Sequence, residues 1–595
     1  LITTGATRVN RNVERFTVEP FVYYNMADTY LCGARLNELA EAVQDYGAKV
    51  CVQFQLGYGR VTNPHSRIIV EPVAPSSQTC FFDQNVMARG LTMQEIRRLI
   101  KDFEVAADIV SGAGIDAIEL NAHNGYFLDQ FMSSLWNKRT DEYGGDLEGR
   151  LRFPLEIIEA IKRGAGADYP IIFKFALTHN FPGGREIEEG IEIVRRLEAA
   201  GISAIGVDAG SYETYHWAQP PVTQPPGCMV YLADMVKKVV NIPVIAIGKL
   251  GYPDLAERVL QEGKADFILM TRPLLADPEW PNKVKEGRQE DIRPCIGDHE
   301  GCIARLKSLK YTSCTVNPAA GMERQFELKP AERKKAVLVI GGGPGGMEAA
   351  RASALRGHNV TLWEKSNALG GNLIPASVPD FKQDFKRLII YLTTQIRKLG
   401  VAIELGKEAT PEQVLEMKPD TVFIAAGSIP IIPKIPGIEK RNVITAIDVL
   451  LGKKATGESV VVVGGGLVGS EAAIFLAQKG KKVTIVEILD SIARTLWYGN
   501  RLHLLGLIAD ASVKVLTETN VLEIRDNSII TTDKRGKKNE LQCDTVVLAV
   551  GSQPNTELEK ALKDKLPEVY AIGDCVEPRK VINAMWEGFR IARLI

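Results

Sequence analysis

Residues 336–346 read Ala-Val-Leu-Val-Ile-Gly-Gly-Gly-Pro-Gly-Gly, and they establish the architecture of the C-terminal half of the chain. An apolar run that leads into Gly341, Gly343 and Gly346 predicts a strand, a tight turn and a helix. A second apolar run ends in Glu364, eighteen residues past Gly346. The glycines let the backbone approach a pyrophosphate at the helix N-terminus, and the acid would bond ribose hydroxyls. The stretch therefore predicts a dinucleotide-binding fold.

The same pattern recurs inside this fold. Val460–Val463 leads into Gly464, Gly466 and Gly469, and Glu487 again follows eighteen residues past the last glycine. Two copies predict two dinucleotide ligands, the alternative for either copy being a fold that has lost its ligand.

If the inner copy binds a nicotinamide dinucleotide, Glu487 and the residues after it bear on which one it binds. The carboxylate would repel a 2′-phosphate, and the next residues, Ile488 and Leu489, offer no cation to compensate. The sequence therefore favours NADH over NADPH.

The first half of the chain alternates short apolar runs with amphipathic segments such as Met93–Ala113 and Glu189–Ala200. This alternation is typical of buried parallel strands joined by helices, and it predicts an α/β fold with a (β/α)8 TIM barrel. The seven runs are Leu1–Thr4, Val50–Leu56, Ala117–Leu120, Ile171–Phe175, Ala204–Val207, Val244–Ile247 and Phe267–Met270. Since the first run begins at residue 1, we expect the true first strand to precede Leu1.

In such a barrel the chemistry lies at the C-terminal ends of the strands. Any one polar residue there is equally well explained as structural, but here polar and cationic residues follow successive strands, and those near the last strands could hold a phosphate. These residues are Gln53, Asn121, His123, Asn124, Lys174, Asp208, Gly248, Lys249, Thr271 and Arg272.

Three cysteines, Cys295, Cys302 and Cys314, fall within twenty residues after the barrel. Thiolates at short spacing suit an iron–sulfur cluster in a reducing compartment, and three of them with one further ligand would also suit zinc.

The composition argues against a nucleic-acid-binding, a membrane-spanning or a disulfide-rich protein. Lys and Arg number 72 against 73 Asp and Glu, so the net charge of −1 gives no general reason to bind nucleic acid or an anionic membrane. No apolar run reaches the ~18 residues that a spanning helix needs. Nine cysteines in 595 residues are too few for a disulfide scaffold. We therefore expect a cytoplasmic protein.

Asn121–Tyr126 (Asn-Ala-His-Asn-Gly-Tyr) together with residues 129–131 and 137–145 resembles the old yellow enzyme family of FMN ene-reductases. Residues 210–221, 272–278 and 370–375 resemble its multidomain branch, which contains 2-enoate reductase and 2,4-dienoyl-CoA reductase. The resemblance extends over nearly the whole chain. It implies an FMN-binding barrel domain at 1–285, an iron–sulfur segment at 286–330, an FAD-binding domain at 331–455 and 566–595, and an NAD(H)-binding domain at 456–565.

The resemblance assigns FMN contacts to the strand ends. Gln53 would bond the flavin pyrimidine edge, and Lys174 would place a positive charge near N1 and O2. The phosphate would be bound by Gly248, Lys249, Thr271 and Arg272. Thr271 departs from the family pattern, in which a glycine allows closer backbone approach.

The resemblance also implies catalytic roles. Asn121 and Asn124 occupy the positions of the pair that binds the substrate carbonyl or anion, and Tyr126 matches the proton donor. His216 aligns with a second proton-relay residue of the dienoyl-CoA branch, the alternative being an ordinary loop histidine.

The cysteines resemble the family pattern C-x2-C-x3-C-x11-C of a 4Fe–4S cluster, but Asp298 stands at the second cysteine position. Asp298 would lie near or on the fourth iron. A 3Fe–4S cluster remains open, as does a water or His299 as the fourth ligand.

Residues 571–574, Ala-Ile-Gly573-Asp574, resemble the flavin disulfide reductase signature in which the aspartate meets the FAD ribityl chain. The outer fold, with Gly371, would then bind FAD, and the inner fold would bind NADH.

These parts imply an ene-reductase in which electrons pass from NADH through FAD, the cluster and FMN to a C=C bond conjugated to a carboxylate or a CoA thioester. Aromatic acyl-CoA or steroid-acid reduction remains open within the family, whose members often form homo-oligomers through their barrels. Other readings are an amine dehydrogenase similar to trimethylamine dehydrogenase and a non-enzymatic electron-transfer scaffold.

Overall fold

The computed structural model describes residues 1–9, 29–62 and 71–595. The chain divides into two compact units, the first made of Leu1–Pro220 and Pro225–Met270 and the second of Pro221–Gln224 and Thr271–Ile595.

The first unit is built on a parallel sheet of seven strands in the order β1-β2-β6-β7-β8-β9-β10. Its strands are β1 (Ile2–Arg8), β2 (Val50–Gln55), β6 (Ala117–Ala122), β7 (Ile171–Ala176), β8 (Ala204–Asp208), β9 (Val244–Ala246) and β10 (Phe267–Ile268), while β3 (Val73–Ala74), β4 (Gln78–Thr79) and β5 (Met87–Gly90) form a small separate sheet. All seven apolar runs are thus confirmed as strands of the β/α barrel. The further strand expected before Leu1 lies outside the sequence and stays a prediction.

Helices connect these strands and cover the sheet. They are α1 (Thr29–Gln44), α2 (Met93–Gly112), α3 (Phe127–Met132), α4 (Leu147–Ala165), α5 (Ile187–Ala199), α6 (Tyr215–Ala218), α7 (Val230–Lys237) and α8 (Pro253–Gln261), with a 3₁₀ turn at Gly59–Val61. Helix α2 starts with a capping box between Thr92 and Glu95, which satisfies backbone donors that the first turn leaves open. Its apolar face packs on the barrel core.

The strand register determines which side chains meet at the functional end of the sheet. Gln53 on β2 is paired with Glu119 on β6, and Asn121 on β6 is paired with Lys174 on β7. Neighbouring strands lie about 4.8 Å apart, so paired side chains on the same face are within contact distance.

The second unit begins with α9 (Arg272–Ala276), α10 (Trp280–Lys285) and α11 (Ile303–Lys307) and continues into an outer five-stranded parallel sheet in the order β13-β12-β11-β14-β25. These strands are β11 (Ala336–Ile340), β12 (Asn359–Glu364), β13 (Ala402–Leu405), β14 (Thr421–Ile424) and β25 (Val569–Ala571). Strand β25 comes from the C-terminal end of the chain and pairs with β14, as predicted for the outer fold.

The inner fold is inserted between β14 and β25. Its parallel sheet has the order β16-β23-β17-β18-β19, formed by β16 (Val443–Thr445), β17 (Ser459–Val463), β18 (Lys482–Val486), β19 (Lys514–Leu516) and β23 (Thr545–Leu548). An antiparallel sheet of β20 (Thr519–Ile524), β21 (Ser528–Asp533) and β22 (Lys538–Gln542) flanks it, and β15 (Ser428–Pro430) pairs with β24 (Ser552–Pro554) where the chain enters and leaves the insertion. The two nested dinucleotide folds are confirmed.

Helices complete both folds of the second unit. They are α12 (Pro344–Leu355), α13 (Leu373–Ala376), α14 (Gln383–Lys398), α15 (Pro411–Met417), α16 (Ala446–Leu450), α17 (Leu467–Gln478), α18 (Tyr498–Asp510), α19 (Glu557–Leu562) and α20 (Val581–Ala592), with 3₁₀ turns at Gln289–Asp291, Asp380–Lys382 and Gly573–Cys575. No helix in the described part of the chain combines the length and apolarity needed to cross a membrane.

The contact between α2 and α4 depends on a glycine. A Cβ added at Gly164 on α4 would lie 2.1 Å from the carbonyl oxygen of Glu104 on α2. We expect Gly164→Ala to lower the free energy of unfolding by roughly 1–3 kcal/mol, the usual cost of overpacking, measured by urea unfolding of the whole protein. Gly112→Ala on α2 is the control, because nothing lies within 4 Å of its added Cβ. Equal effects of the two variants would contradict the prediction.

Candidate functional site

A chain of side-chain hydrogen bonds crosses the ends of β2 and β6. Gln53 donates from Nε2 to Glu119 Oε1 at 2.5 Å, and Asn121 donates from Nδ2 to Gln53 Oε1 at 3.2 Å. The Glu119 carboxylate accepts but cannot donate, so the Gln53 amide is held in one orientation. Glu119 is buried, and sequence reasoning missed it although it was a charged residue inside an apolar strand.

Asp208, at the end of β8, joins two further site residues. Its Oδ2 lies 2.9 Å from His123 Nδ1 and 3.8 Å from Lys174 Nζ, and the carboxylate is 1% exposed. Burial and the nearby Lys174 ammonium lower the pKa of His123 despite Asp208, so the imidazole is neutral at pH 7. The structure thus brings together three residues that were predicted from different strand ends.

Asn124 is a buried polar side chain whose capacity for hydrogen bonds is unused. It is 1% exposed, and neither its Nδ2 nor its Oδ1 has a hydrogen-bond partner within the described residues. The Oδ1 atom of Asn121 is also without a partner there. A buried group left unpaired costs about 1–3 kcal/mol, so the two amides fit a ligand that brings its own polar atoms.

Aromatic side chains surround Tyr126, which precedes α3. Its ring lies 5.2 Å from the ring of Tyr58, 5.7 Å from that of His123 and 6.0 Å from that of Tyr212, between centroids. The rings of His123 and Tyr212 meet it edge to face, an arrangement that favours a fixed ring orientation.

A buried charged cluster is hydrogen-bonded to the turn that precedes Tyr126. Asp129 accepts a hydrogen bond from Gly125 N at 2.9 Å and lies 2.8 Å from Arg185 Nη1 and 3.3 Å from His179 Nε2. Burial alone would raise the pKa of Asp129, but Arg185 and His179 lower it to about 2. Asp129 is therefore a fixed negative anchor for the turn. Its motif was noticed in the sequence, but this role was not.

His216 lies on α6, the short helix after β8. Its neighbour Tyr215 contacts Tyr212 at 5.1 Å between ring centroids, and Tyr212 in turn contacts Tyr126. Burial lowers the pKa of His216 to about 4, so this side chain is uncharged at neutral pH.

The residues predicted to bind the FMN phosphate fall in both units. In the first unit, Gly248 and Lys249 follow β9 with φ of 116° and 54°, so the backbone makes a tight turn there. In the second unit, Thr271 precedes α9 and Arg272 is its first residue. Arg272 donates from Nη1 to His299 Nε2 at 2.5 Å. A joint phosphate site of these four residues stays a prediction.

The three cysteines and Asp298 line one cavity in the second unit, together with Arg272 and backbone of the neighbouring loops. Asp298 accepts a hydrogen bond from Thr315 Oγ1 at 2.6 Å. Within residues 1–9, 29–62 and 71–595, no group of three or more His, Cys, Asp or Glu side chains is close enough to hold a single metal ion. In an iron–sulfur cluster each thiolate binds a different iron, and three thiols spread around one cavity fit such a group.

The first glycine motif forms a close-packed cradle between β11 and α12. A Cβ added at Gly346 would lie 1.9 Å from Gly341 O, whereas one at Gly343 meets nothing within 4 Å. Glu364 accepts from Gly342 N at 2.6 Å. The open position at Gly343 and the helix N-terminus fit a pyrophosphate, as FAD requires.

The second motif repeats this geometry. A Cβ at Gly469 would lie 1.9 Å from Gly464 O, one at Gly466 meets nothing within 4 Å, and Glu487 accepts from Gly465 N at 2.6 Å. The residues fit a second dinucleotide equally well.

Two further polar contacts lie in the dinucleotide folds. Asp574 is held by Arg579 N at 3.1 Å, its Oδ2 lies 3.5 Å from Ser428 Oγ, and burial raises its pKa. A buried ion pair, Lys382 Nζ to Glu471 Oε1 at 2.5 Å, joins the outer fold to α17 of the inner fold. Sequence reasoning missed this pair because 89 residues separate its members.

Residues 1–291 match the NADH:flavin oxidoreductase / NADH oxidase family, and residues 335–588 match the pyridine nucleotide-disulphide oxidoreductase family. Cinnamate reductase from Clostridium sporogenes is 38% identical over 100% of this chain and 91% of its own length. NADH oxidase from Thermoanaerobacter brockii is 44% identical over 95% and 87%. The solved 2-naphthoyl-CoA reductase–2-naphthoyl-CoA complex is 34% identical with a TM-score of 0.89, covering 95% of this chain and 88% of that one.

Dimethylamine dehydrogenase from Hyphomicrobium sp. is more distant, at 28% identity over 84% of this chain and 75% of its own length. The resemblance deduced from the motifs is confirmed, with FMN-type and NADH/FAD-type binding domains in one chain. The chain belongs to the NADH:flavin oxidoreductase / NADH oxidase family, in its multidomain branch of old yellow enzyme-type flavoprotein reductases.

Proposed function

We propose that this protein uses NADH to reduce a C=C bond conjugated to a carboxylate or a CoA thioester. The observation that carries the proposal is the buried amide of Asn124, whose Nδ2 and Oδ1 have no hydrogen-bond partner within the described residues, two positions before Tyr126. Asn121, at the end of β6, has only its Oδ1 unpartnered there, because its Nδ2 donates to Gln53 and Gln55. Amide N–H groups bind a carbonyl oxygen and polarise it without titrating near pH 7.

The remaining barrel residues have complementary roles. FMN held at the strand ends would supply the hydride chemistry needed at the β-carbon. Tyr126 delivers the proton to the α-carbon, since a phenol with a free pKa of about 10 is protonated at pH 7. Lys174 stabilises negative charge at flavin N1 and O2, and Gln53 bonds the pyrimidine edge in the orientation that Glu119 imposes. His216 is uncharged and serves as an accessory proton carrier.

The second unit would hold the cofactors that bring electrons. Glu364, Gly371, Gly573 and Asp574 with the first glycine motif bind FAD, and Glu487 with the second binds NADH. Cys295, Cys302, Cys314 and Asp298 bind a 4Fe–4S cluster. When bound, NADH and the two flavins would supply two-electron chemistry and the cluster would supply single-electron transfer between the flavins.

The substrate is best sought among 2-enoates. The full-length similarity to a cinnamate reductase favours a free acid, and the similarity to 2-naphthoyl-CoA reductase makes an aromatic acyl-CoA the second candidate. Amine oxidation is less well supported, because the intact glycine cradle and Glu487 of the inner fold provide for a nicotinamide nucleotide that such a reaction does not need.

The substrate class can be tested by anaerobic NADH oxidation with cinnamate or crotonate beside their CoA thioesters. We expect turnover with the free acids and formation of the saturated product. Turnover with thioesters alone would assign the acyl-CoA branch. Flavin reduction without turnover of either kind of acceptor would contradict the proposal.

The role of Tyr126 predicts a selective kinetic defect. In Tyr126→Phe, loss of the proton donor should lower the rate of reduced-flavin reoxidation by enoate roughly 10²–10⁴-fold, the usual contribution of general acid catalysis. Reduction of the flavins by NADH should be unchanged, as stopped-flow measurement of the two half-reactions can show. Tyr46→Phe is a matched control, since Tyr46 is 91% exposed. Equal loss in both half-reactions would contradict this role.

The two glycine motifs predict a paired result that assigns the nucleotides. An added methyl at Gly343 or Gly466 meets no protein atom, so the fold is preserved and only a bound pyrophosphate is disturbed. We expect Gly343→Ala to lose FAD and Gly466→Ala to retain FAD but raise the Kd for NADH, measured by cofactor content and NADH titration. The reverse pattern would exchange the two assignments.

A further inference from the structure

Asp298 differs from the neighbouring cavity residues in the kind of ligand it offers. Its carboxyl group lines the same cavity as the thiols of Cys295, Cys302 and Cys314. Burial raises the pKa of the Cys295 and Cys302 thiols, and the nearby Asp298 carboxyl adds to this rise. One of its oxygens, Oδ2, accepts a hydrogen bond from Thr315 Oγ1 at 2.6 Å. Backbone N–H groups of Glu300 and of Asp298 itself also bond this carboxyl group. A carboxylate has about four lone-pair positions, so it keeps capacity for a metal in the cavity.

The loop around Asp298 is held rigidly by its backbone. Gly297 has a φ of 63°, a Cβ there would lie 2.7 Å from Val222 N, and Val222 N donates to Gly297 O at 2.9 Å. Asn500 donates from Nδ2 to the carbonyl oxygen of Asp298 at 2.9 Å, and its Oδ1 lies 2.6 Å from His299 Nδ1. The direction in which residue 298 points is therefore set independently of its side chain.

The four ligands differ in chemical hardness, because three are sulfur ligands and one is an oxygen ligand. Sulfur ligands suit the irons of a sulfide-bridged cluster, whereas a carboxylate is a hard oxygen ligand with weaker preference for such a site. Three irons would be anchored by thiolates and one by Asp298.

We propose that Asp298, oriented by Thr315, forms an exchangeable metal site: the iron it holds leaves on oxidation and is replaced by added Fe²⁺ or another divalent cation. This inference rests on the proposed function, since it requires the cluster. It makes oxidation a reversible switch of the electron path without loss of the three thiolate-bound irons.

The exchange balances in atoms and electrons. A [4Fe–4S]²⁺ core contains two ferric and two ferrous ions. A one-electron oxidant such as ferricyanide takes one electron, becoming ferrocyanide, and Asp298 releases Fe²⁺, leaving a [3Fe–4S]⁺ core of three ferric ions. Fe²⁺ together with one electron from dithionite restores the original core.

The test uses the full-length protein purified without oxygen, as wild type and as Asp298→Cys, Thr315→Val, Thr315→Ser and Ser313→Ala. One equivalent of ferricyanide is added per chain. Iron release is followed with a ferrous chelator, and the core is followed by low-temperature EPR spectroscopy. Bound iron, sulfide and FAD are measured beforehand.

We expect the wild type to release one iron per chain and to show the signal of a 3Fe–4S core, which Fe²⁺ and dithionite abolish. Asp298→Cys should retain its iron and show no such signal. Thr315→Val should release iron roughly tenfold faster, the effect of losing one hydrogen bond to a charged group, and Thr315→Ser should restore the wild-type rate. Ser313→Ala alters a buried hydroxyl that makes no hydrogen bond within the described residues, and it should behave as wild type.

The outcomes separate the two proposals. Protein that binds FAD but carries no sulfide in any variant would overturn the cluster and with it the proposed electron path. A wild type that keeps four irons as firmly as Asp298→Cys would overturn the exchangeable site alone. If Asp298→Cys does not retain FAD, Asp298→Asn takes its place, since a neutral amide should bind the fourth iron more weakly and give the 3Fe–4S signal without added oxidant. An Asn variant that keeps four irons would overturn the inference.

Discussion

Polar groups removed from water require partners, and this constraint shapes the end of the barrel where the strands terminate. Asp208 meets both His123 and Lys174, and Glu119 accepts from Gln53, so these polar groups have partners inside the protein. Asn124 is as deeply buried, yet its amide has no partner within the described residues. An unpaired buried amide is costly, so this position favours the binding of a ligand that supplies the missing partner. The proposed catalytic site includes this place, where hydrogen-bonding capacity is unused within the described residues.

The strands and the two nested nucleotide folds were predictable from the sequence, because each is specified by residues that are close together in the chain. Apolar runs of four to seven residues specify buried parallel strands, and a glycine motif requires only neighbours within about thirty residues. The residues at each strand end were predictable for the same reason. Their contacts were not, since Lys382 meets Glu471 across 89 residues and Asp129 meets His179 across 50. Such pairs depend on how distant segments pack together, and no hydrophobic periodicity in the sequence predicts them.

The glycine turns of the outer and inner folds have the same backbone arrangement. In each, a glutamate accepts a hydrogen bond at 2.6 Å from the backbone of the glycine turn. The outer Glu364 also accepts from both N and Oγ of Ser366 at 2.7 Å, whereas within the described residues the inner Glu487 gains one further bond, from Leu489 N at 2.8 Å. The outer carboxylate is therefore more firmly oriented before any ligand binds, which suits a resident flavin. Ile488, 64% exposed beside the inner site, leaves a 2′-phosphate without a cation, which suits exchangeable NADH.

Thr271 and Asp298 both depart from the family pattern, and the two departures have different physical consequences. Thr271 is the residue before α9, where a side chain in place of hydrogen limits how closely a phosphate can approach the backbone. Asp298 instead changes the type of ligand atom, because it offers a carboxylate oxygen where the family pattern has a thiolate sulfur. Gly297 and His299 on either side both have φ of 63°, and the surrounding hydrogen bonds are made by backbone atoms and by Asn500. A cysteine or an aspartate would thus be presented to the cavity in the same way. The backbone around position 298 thus fixes where its side chain is presented, whereas the chemical hardness of that side chain can change by a single substitution.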